Sequence, residues 1–336
     1  MGTRIVAPCW AMVALCASVA GCALTVTGID QERETAPALQ AAPRCAAASF
    51  TLARRDAEVL FVVDRSGSMS TAIATDATGA TSRWDALRGA LADALPRYQT
   101  ALTAGLSLFP SGAEACGVRD DGLVEVAPAR GSAADVLRAL SRTAPGGSTP
   151  TGAAVLAGAR YLLRRASANV SRTLVLATDG APTCTAGGGD NGVTDAVNAI
   201  ATARAMGVST YVIGISMPGE TELVRALDRM AVAGGHPLPG AVRHYAIHDP
   251  GALARAFMDV PRSISECTWF ASTAAPAEGQ VTLRAGNATI PHDPTRRDGW
   301  EWSDPARGQV TLYGPACTGL SGRTLALEGA VTCTAR

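Results

Sequence analysis

The feature that most constrains this chain is a regular alternation of short apolar strands with helical patterns, which begins near residue 57. The apolar runs 174–176 and 211–213 are continuous, which is typical of parallel strands buried on both faces. This alternation predicts an α/β fold, a doubly wound and mostly parallel sheet with helices on both faces. The predicted strands are 58–64, 104–109, 122–127, 172–178, 208–215 and 242–247, and the predicted helices are 83–97, 132–141, 152–166, 192–206, 219–231 and 249–264.

Two stretches depart from that alternation. The gap 109–122 carries no helical pattern, so the second and third strands are predicted to form a hairpin with one antiparallel strand at the sheet edge. After Cys267 the pattern changes to short alternating segments punctuated by Gly and Pro, which indicates a small β-rich module. The chain is thus predicted to have four parts: a signal peptide (1–21), a tether (22–50), the α/β domain (51–265) and the β-rich module (266–336).

The N-terminal segment predicts export and a lipid anchor. Arg4 precedes an apolar stretch, 5–20, that is short for a membrane span and typical of a cleaved signal peptide. The Val-Ala-Gly-Cys sequence that ends at Cys22 resembles the bacterial lipobox, in which cleavage precedes the cysteine and its sulfur carries a diacylglycerol. A plain secretory signal is the alternative. Ala23, rather than Asp, after the lipidated cysteine favours the outer membrane of a Gram-negative host.

The charge pattern argues against several classes of function. The chain has 29 basic and 29 acidic residues and no run of basic ones, which argues against nucleic acid as a partner. Every basic residue apart from histidine is Arg, because the chain contains no Lys. A phosphate-binding P-loop and Schiff-base chemistry both need a Lys, so both are excluded.

The cysteines agree with an oxidising compartment. Cys9 and Cys16 lie in the predicted signal peptide and Cys22 in the lipobox, so an even number remains, which predicts that all the others form disulfides. No C-x-x-C occurs, and zinc-ribbon and thioredoxin-like readings therefore have no support. Among the possible connectivities, the preferred pairing is Cys45–Cys267, Cys116–Cys184 and Cys317–Cys333.

Oxygen-bearing side chains gather where predicted strands end. Asp64, Ser66 and Ser68 follow the first strand at alternate positions, Asp179 follows the fourth strand, and the Gly-rich turn 146–152 opens a helix. Because ligands of open α/β sheets lie outside the carboxyl ends of the strands, these side chains are expected to converge. Each motif alone is common turn or capping chemistry, and their combination is the specific signal. Carboxylates and hydroxyls without His or Cys suit Mg²⁺, Mn²⁺ or Ca²⁺ and disfavour zinc or copper.

On these residues the chain resembles the von Willebrand factor A (VWA) family and its metal-ion-dependent adhesion site. The family pattern is Asp-x-Ser-x-Ser, a distant Thr and a further Asp, and the resemblance spans roughly residues 57–264. The resemblance implies that the divalent cation is held by Asp64, Ser66, Ser68, Thr149 and Asp179. Thr149 is assigned because the family's metal-binding Thr lies two positions before a second Thr, and Thr151 is the alternative.

The resemblance also implies how such a site works. The hydroxyls of Ser66, Ser68 and Thr149 would bind the cation directly, and the two carboxylates largely through water. One coordination position would stay open for an acidic side chain of a partner protein. Arg65, which stands between the metal ligands in sequence, is a candidate to steer that carboxylate, with an ordinary solvated Arg as the alternative.

Catalysis is the competing interpretation. The sequence has no Gly-x-Ser-x-Gly elbow, no paired-Glu motif and no evident general base beside the five ligands, and its four histidines fit structural roles. The prediction is therefore not an enzyme but a module, anchored to the cell envelope, that binds a protein partner through a divalent cation. The alternative is a structural envelope lipoprotein whose metal site only stabilises the fold.

Overall fold

Two large sheets and seven α-helices organise the part of the chain that the structure describes. The computed structural model describes residues 47–76, 79–111, 114–119, 123–165, 169–185, 192–216, 219–276, 279–321 and 326–333. The strands are β1 (Ala48–Ala53), β2 (Asp56–Asp64), β3 (Ala72–Asp76), β4 (Gly79–Ser82), β5 (Leu102–Phe109), β6 (Val126–Ala129), β7 (Val170–Thr178), β8 (Val208–Ile215), β9 (Tyr245–Ile247), β10 (Thr268–Ala271), β11 (Gln280–Ala285), β12 (Ala288–Ile290), β13 (Gly299–Asp304), β14 (Gln309–Tyr313) and β15 (Leu327–Thr332). The helices are α1 (Arg83–Tyr98), α2 (Ala133–Ser141), α3 (Thr151–Arg164), α4 (Gly192–Ala205), α5 (Thr221–Gly234), α6 (Pro250–Arg262) and α7 (Gly314–Thr318).

The central sheet has the strand order β6-β5-β2-β7-β8-β9. Its pairings are parallel except for β6, which pairs antiparallel with β5 at the edge. The predicted doubly wound, mostly parallel sheet and its antiparallel edge are confirmed. The short strand β6 begins four residues later than predicted, and part of the predicted range lies outside the described residues.

Helices cover both faces of this sheet because β2 is apolar on both sides. Phe61 packs in a cluster with side chains of α1 and α6, including Leu87 and Phe257. Its neighbour Leu60 points to the opposite face and packs in a second cluster with side chains of α3, α4 and α5, including Leu162. The two faces of one buried strand thus hold two helical layers together, and β2 delivers its last residue to the carboxyl edge of the sheet.

The hairpin of β3 and β4 was not predicted from the sequence. It follows a short 3-10 turn, Gly67–Ser70, and leads directly into α1, whose N-cap Ser82 accepts a hydrogen bond from the main chain of Asp85 at 3.0 Å. Its residues are mostly Ala, Thr and Gly, which give little periodic signal. The hairpin lies between the oxygen-rich turn after β2 and the first helix.

The second sheet contains the first described strand of the chain. Its order is β12-β11-β15-β1-β10-β14-β13, so β1 lies in the middle of the β-rich module rather than in the α/β domain. The predicted boundary between tether and domain, at residues 50 and 51, falls inside this strand. Phe50 of β1 joins Trp269, Trp300 and Leu312 in the core of the second sheet.

A close contact between Phe50 and Gly329 offers a test of this arrangement. The two residues face each other across β1 and β15, and a Cβ on Gly329 would overlap the Phe50 ring. We expect Gly329→Val to lower the free energy of unfolding by about 1–3 kcal/mol, because Phe50 must leave its site. The measurement is urea unfolding, with Ala330→Val, on the exposed side of the same strand, as the control. Equal stability of the two variants would contradict the placement of β1.

The disulfides confirm one predicted pairing and overturn two. Cys116 pairs with Cys184, as predicted. Cys267 pairs with Cys317, and Cys333 is also disulfide-bonded, so the predicted pairs Cys45–Cys267 and Cys317–Cys333 are both wrong. The reason is strand order: β10 pairs with β14, and α7 follows β14, which brings the two Cα atoms of Cys267 and Cys317 to 5.3 Å.

The predicted signal peptide and the lipobox Cys22 lie outside the described residues, as does Cys45. In the ranges that the structure describes, none of the helices combines the length and apolar character needed to cross a membrane.

Candidate metal centre

Three loops meet at the carboxyl edge of the central sheet. Asp64 ends β2 and Thr178 ends β7, and these strands are parallel neighbours. The turn that precedes α3 joins them, because the main-chain N–H of Gly67 donates to the carbonyl of Gly147 at 3.0 Å. Gly147 has a positive φ of 85°, which glycine adopts without strain. The topology therefore brings together the three segments that the sequence singled out.

Asp64 organises the turn after β2. Its carboxylate accepts the main-chain N–H of Ser66 at 2.7 Å and the hydroxyl of Thr178 at 2.6 Å. Asp64 is fully buried, and this burial raises its pKa to about 6, although the two hydrogen bonds favour the ionised form. The charge of nearby Asp179 raises the pKa further. A cation beside Asp64 would reverse that balance, because opposite charge stabilises the carboxylate.

The hydroxyls of Ser66 and Ser68 continue the cluster toward Asp179. Their Oγ atoms lie 2.9 Å apart, and the Ser68 hydroxyl donates to Oδ1 of Asp179 at 2.7 Å. Ser66 and Asp179 are buried, whereas Ser68 is exposed. The cluster is thus open to solvent on the side of Ser68.

The structure brings Thr149 to the same place. A Cβ on Gly180 would lie 3.6 Å from Oγ1 of Thr149 and 3.7 Å from Oγ of Ser68, so both hydroxyls border the space above Gly180. The alternative, Thr151, is fully buried, and its hydroxyl makes no hydrogen bond to the described residues. The position of the Thr149 hydroxyl beside Gly180, near that of Ser68, favours Thr149.

The spacing of these oxygens fits a small divalent cation. Octahedral Mg²⁺ has metal–oxygen distances near 2.1 Å, which places adjacent ligand oxygens about 3 Å apart. The separations of 2.9 Å between the two serine hydroxyls and 2.7 Å from Ser68 to Asp179 are close to that value. Within the described ranges, no group of three or more His, Cys, Asp or Glu side chains could hold a metal ion. The fit therefore depends on hydroxyl oxygens together with the two carboxylates.

Arg83 is the principal site residue that the sequence did not indicate. Its guanidinium NH1 lies 2.8 Å from Oδ2 of Asp179, and both side chains are buried. Arg83 is the first residue of α1, a position where an Arg normally faces solvent, so no local pattern marks it. Thr178 was missed for a similar reason, because its role depends on the neighbouring strand β2.

Arg65 forms hydrogen bonds to two loops near the site. Its Nε donates to the carbonyl of Pro110 at 2.9 Å, and NH1 donates to the carbonyl of Ala144 at 3.2 Å. The Arg65 guanidinium therefore links two loop segments, and its role in steering a carboxylate stays a prediction.

The Cys116–Cys184 disulfide encloses the Thr149 turn. The carbonyl of Ala115 accepts the N–H of Ser148 at 2.9 Å, and the hydroxyl of Thr183 accepts the N–H of Thr149 at 3.0 Å. The cysteines that follow Ala115 and Thr183 in sequence are the two that are joined. The turn that carries Thr149 is thus held from both sides by segments that are covalently linked.

Doubly wound α/β domains bind their ligands at the carboxyl edge of the sheet, which is where this oxygen cluster lies. Two overlapping models, each described as a von Willebrand factor type A domain, match residues 59–181 and 123–249. Together they cover residues 59–249, and the chain therefore contains a VWA domain. No curated protein matches the chain in sequence.

Several solved structures resemble the chain in fold. The pilus adhesin SpaC from Lactobacillus rhamnosus GG is 15% identical with a TM-score of 0.48, over 82% of this chain and 39% of SpaC. A von Willebrand factor type A protein from Catenulispora acidiphila is 16% identical with a TM-score of 0.44, over 88% and 63% of the two chains. The vWF domain of the type V pili tip protein Mfa5 from Porphyromonas gingivalis is 12% identical with a TM-score of 0.45, over 63% and 96%. The chain thus spans less than two thirds of the first two proteins.

Proposed function

We propose that this protein binds a partner protein through a divalent cation held at the carboxyl edge of its VWA domain. The observation that supports the proposal is that three distant segments bring Asp64, Ser66, Ser68, Thr149 and Asp179 to one edge of the sheet, with oxygen separations of 2.9 Å and 2.7 Å along Ser66, Ser68 and Asp179 that suit such an ion. Mg²⁺, Mn²⁺ and Ca²⁺ are the cations that hard oxygen ligands favour.

The chemistry of this donor set points to an acidic ligand. The hydroxyls of Ser66, Ser68 and Thr149 are neutral, so they would hold the cation without cancelling its charge. A bound cation would supply an electrophilic point on the side of Ser68, where the cluster is exposed. A carboxylate from a partner protein would complement that charge and complete the coordination.

The proposed location is the cell envelope, with Cys22 as the lipidated residue and the outer membrane as the membrane reached. The disulfides of the described residues support an oxidising compartment, because such bonds are rare in reducing ones. The lipobox is a prediction from the sequence. Mass spectrometry of the mature protein tests it by searching for a diacylglyceryl group on Cys22. A mature N-terminus that lacks lipid would contradict the anchor.

Ser68→Ala tests the metal-dependent function directly. We expect Mg²⁺ or Mn²⁺ binding, measured by titration calorimetry, to weaken at least about tenfold, because one direct ligand is lost. Binding to envelope proteins, compared in Mg²⁺ and in chelator, should weaken in parallel. Ser70→Ala, an exposed serine in the same 3-10 turn, is the matched control and should behave as the wild type. Binding that is equal in Mg²⁺ and in chelator would contradict the proposal.

A structural role for the metal is the second candidate. It is favoured by the burial of both carboxylates, Asp64 and Asp179, which a bound cation would stabilise in the folded state. In that case a chelator would lower the melting temperature and leave every protein interaction intact. The comparison of envelope binding in Mg²⁺ and chelator distinguishes the two candidates.

A further inference from the structure

A buried ion pair adjoins the candidate metal centre. Arg83 NH1 lies 2.8 Å from Oδ2 of Asp179, and it also donates to the main-chain carbonyl of Asp179 at 3.4 Å. The side chains are only 6% and 0% exposed, respectively. A pair this deeply buried is weak evidence for stability as such, because removing both charges from water costs about as much as their attraction returns.

The pair divides the two oxygens of Asp179 between different partners. Oδ2 is bound by the guanidinium of Arg83, and Oδ1 accepts the hydroxyl hydrogen of Ser68 at 2.7 Å. Oδ1 is therefore the oxygen of Asp179 that faces the hydroxyls of Ser66, Ser68 and Thr149, which would surround a cation. Asp179 can present one oxygen to the ion, directly or through water, but it cannot chelate the ion with both.

Arg83 also changes the charge of the centre. Two carboxylates, Asp64 and Asp179, adjoin the centre, and Arg83 adds one positive charge at hydrogen-bond distance from Asp179. The Nε of Arg83 is buried and has no hydrogen-bond partner in the described part of the chain, whereas NH1 binds both the carboxylate and the main-chain carbonyl of Asp179. With a divalent cation bound among the hydroxyls of Ser66, Ser68 and Thr149, the centre as a whole would thus keep a net positive charge.

We propose that Arg83 is a positioning residue that limits Asp179 to one oxygen and so sets both the affinity and the selectivity of the cation site. The inference rests on the proposed function. Because Ca²⁺ takes 6–8 oxygens and often a bidentate carboxylate, whereas Mg²⁺ is octahedral, the arrangement favours Mg²⁺ or Mn²⁺. The retained positive charge weakens cation binding and strengthens the attraction for an acidic partner side chain.

The test compares three single variants by titration calorimetry with MgCl₂ and with CaCl₂. Arg83→Gln removes the charge and shortens the side chain, so Oδ2 of Asp179 loses its guanidinium partner, while a polar group remains at this buried position, unlike in Arg83→Met. We expect it to bind Mg²⁺ about tenfold more tightly and Ca²⁺ more tightly still, so that the preference for Mg²⁺ falls. Arg83→Lys keeps the charge and should stay close to the wild type. Arg88→Gln removes the guanidinium of the exposed Arg88–Asp85 pair on the same helix and should change nothing.

Thermal unfolding separates this role from a purely structural one. In chelator, Arg83→Gln should melt below the wild type, because the buried Asp179 carboxylate loses its charged partner. Saturating Mg²⁺ should raise its melting temperature by more than it raises that of the wild type. A lower melting temperature with an unchanged or smaller Mg²⁺ effect would overturn the proposal and leave Arg83 a structural residue. A wild-type protein that binds neither cation would instead overturn the proposed function.

Discussion

Asp64→Asn is expected to abolish Mg²⁺ binding and, in chelator, to make the protein more stable. The asparagine keeps an oxygen that can accept the N–H of Ser66, but it removes the negative charge that a cation requires. Asp64 is fully buried, and the metal-free protein must hold that charge away from water. Asp64→Asn should therefore raise the stability of the metal-free protein and abolish Mg²⁺ binding. A general loss of folding would lower both.

The size of the stabilisation follows from the pKa. Burial raises the pKa of Asp64 to about 6 from an ordinary value of 3.8, so the folded state binds the proton more tightly than the unfolded state. The ionised group destabilises the fold progressively as the pH rises from about 4 to about 6, and fully above that. This rise in the pKa corresponds to a loss of unfolding free energy on the order of 3 kcal/mol. In chelator the advantage of Asp64→Asn should grow across that window and then level off.

Urea unfolding in chelator at several pH values, with calorimetric titration of MgCl₂, measures both effects. Asp56→Asn is the matched control, because Asp56 begins the same strand, is 71% exposed and pairs with Arg130 at the surface. It should change neither Mg²⁺ binding nor, by more than about 1 kcal/mol, stability. Mg²⁺ binding that survives Asp64→Asn would remove Asp64 from the metal site.

The central sheet could be predicted from the sequence because its strands are buried on both faces. Strand β8 was predicted at 208–215 and lies at Val208–Ile215, and helix α1 was predicted at 83–97 and lies at Arg83–Tyr98. Continuous apolar runs and amphipathic helices carry their own local signal. Strand β1 carries none: its partner β15 lies more than 270 residues later, and only alternate residues are buried.

The residues of the candidate site likewise fall into those that local sequence marks and those that only the fold reveals. Asp64, Ser66 and Ser68 are marked by local spacing, and their convergence with Thr149 and Asp179 follows from strand order and two glycine-rich turns. The contact of Arg83 with Asp179 spans 96 positions and depends on how α1 enters the edge of the sheet. The pairing of Cys267 with Cys317 likewise depends on which strands are neighbours, which composition does not reveal.

Loss of the Cys116–Cys184 disulfide is expected to weaken cation binding as well as stability. The bond closes a separation of 68 residues, so the double variant Cys116→Ser/Cys184→Ser should lose about 2–4 kcal/mol of unfolding free energy. The segments that it joins bind the main chain of Ser148 and Thr149 through Ala115 and Thr183. Without the bond, the Thr149 hydroxyl must be ordered when the ion binds, and Mg²⁺ affinity should fall at least about tenfold.

The Cys267–Cys317 disulfide provides the control for this prediction. Cys267→Ser/Cys317→Ser removes a bond that closes a separation of 50 residues, but its loss affects the core of the second sheet. Both double variants should therefore lose comparable stability, measured by urea unfolding, whereas only the first should lose Mg²⁺ affinity in calorimetric titration. If the two variants changed Mg²⁺ affinity equally, the effect would be one of general stability. Because the segments beside Cys116 and Cys184 hydrogen-bond to Ser148 and Thr149, we expect the affinities to separate.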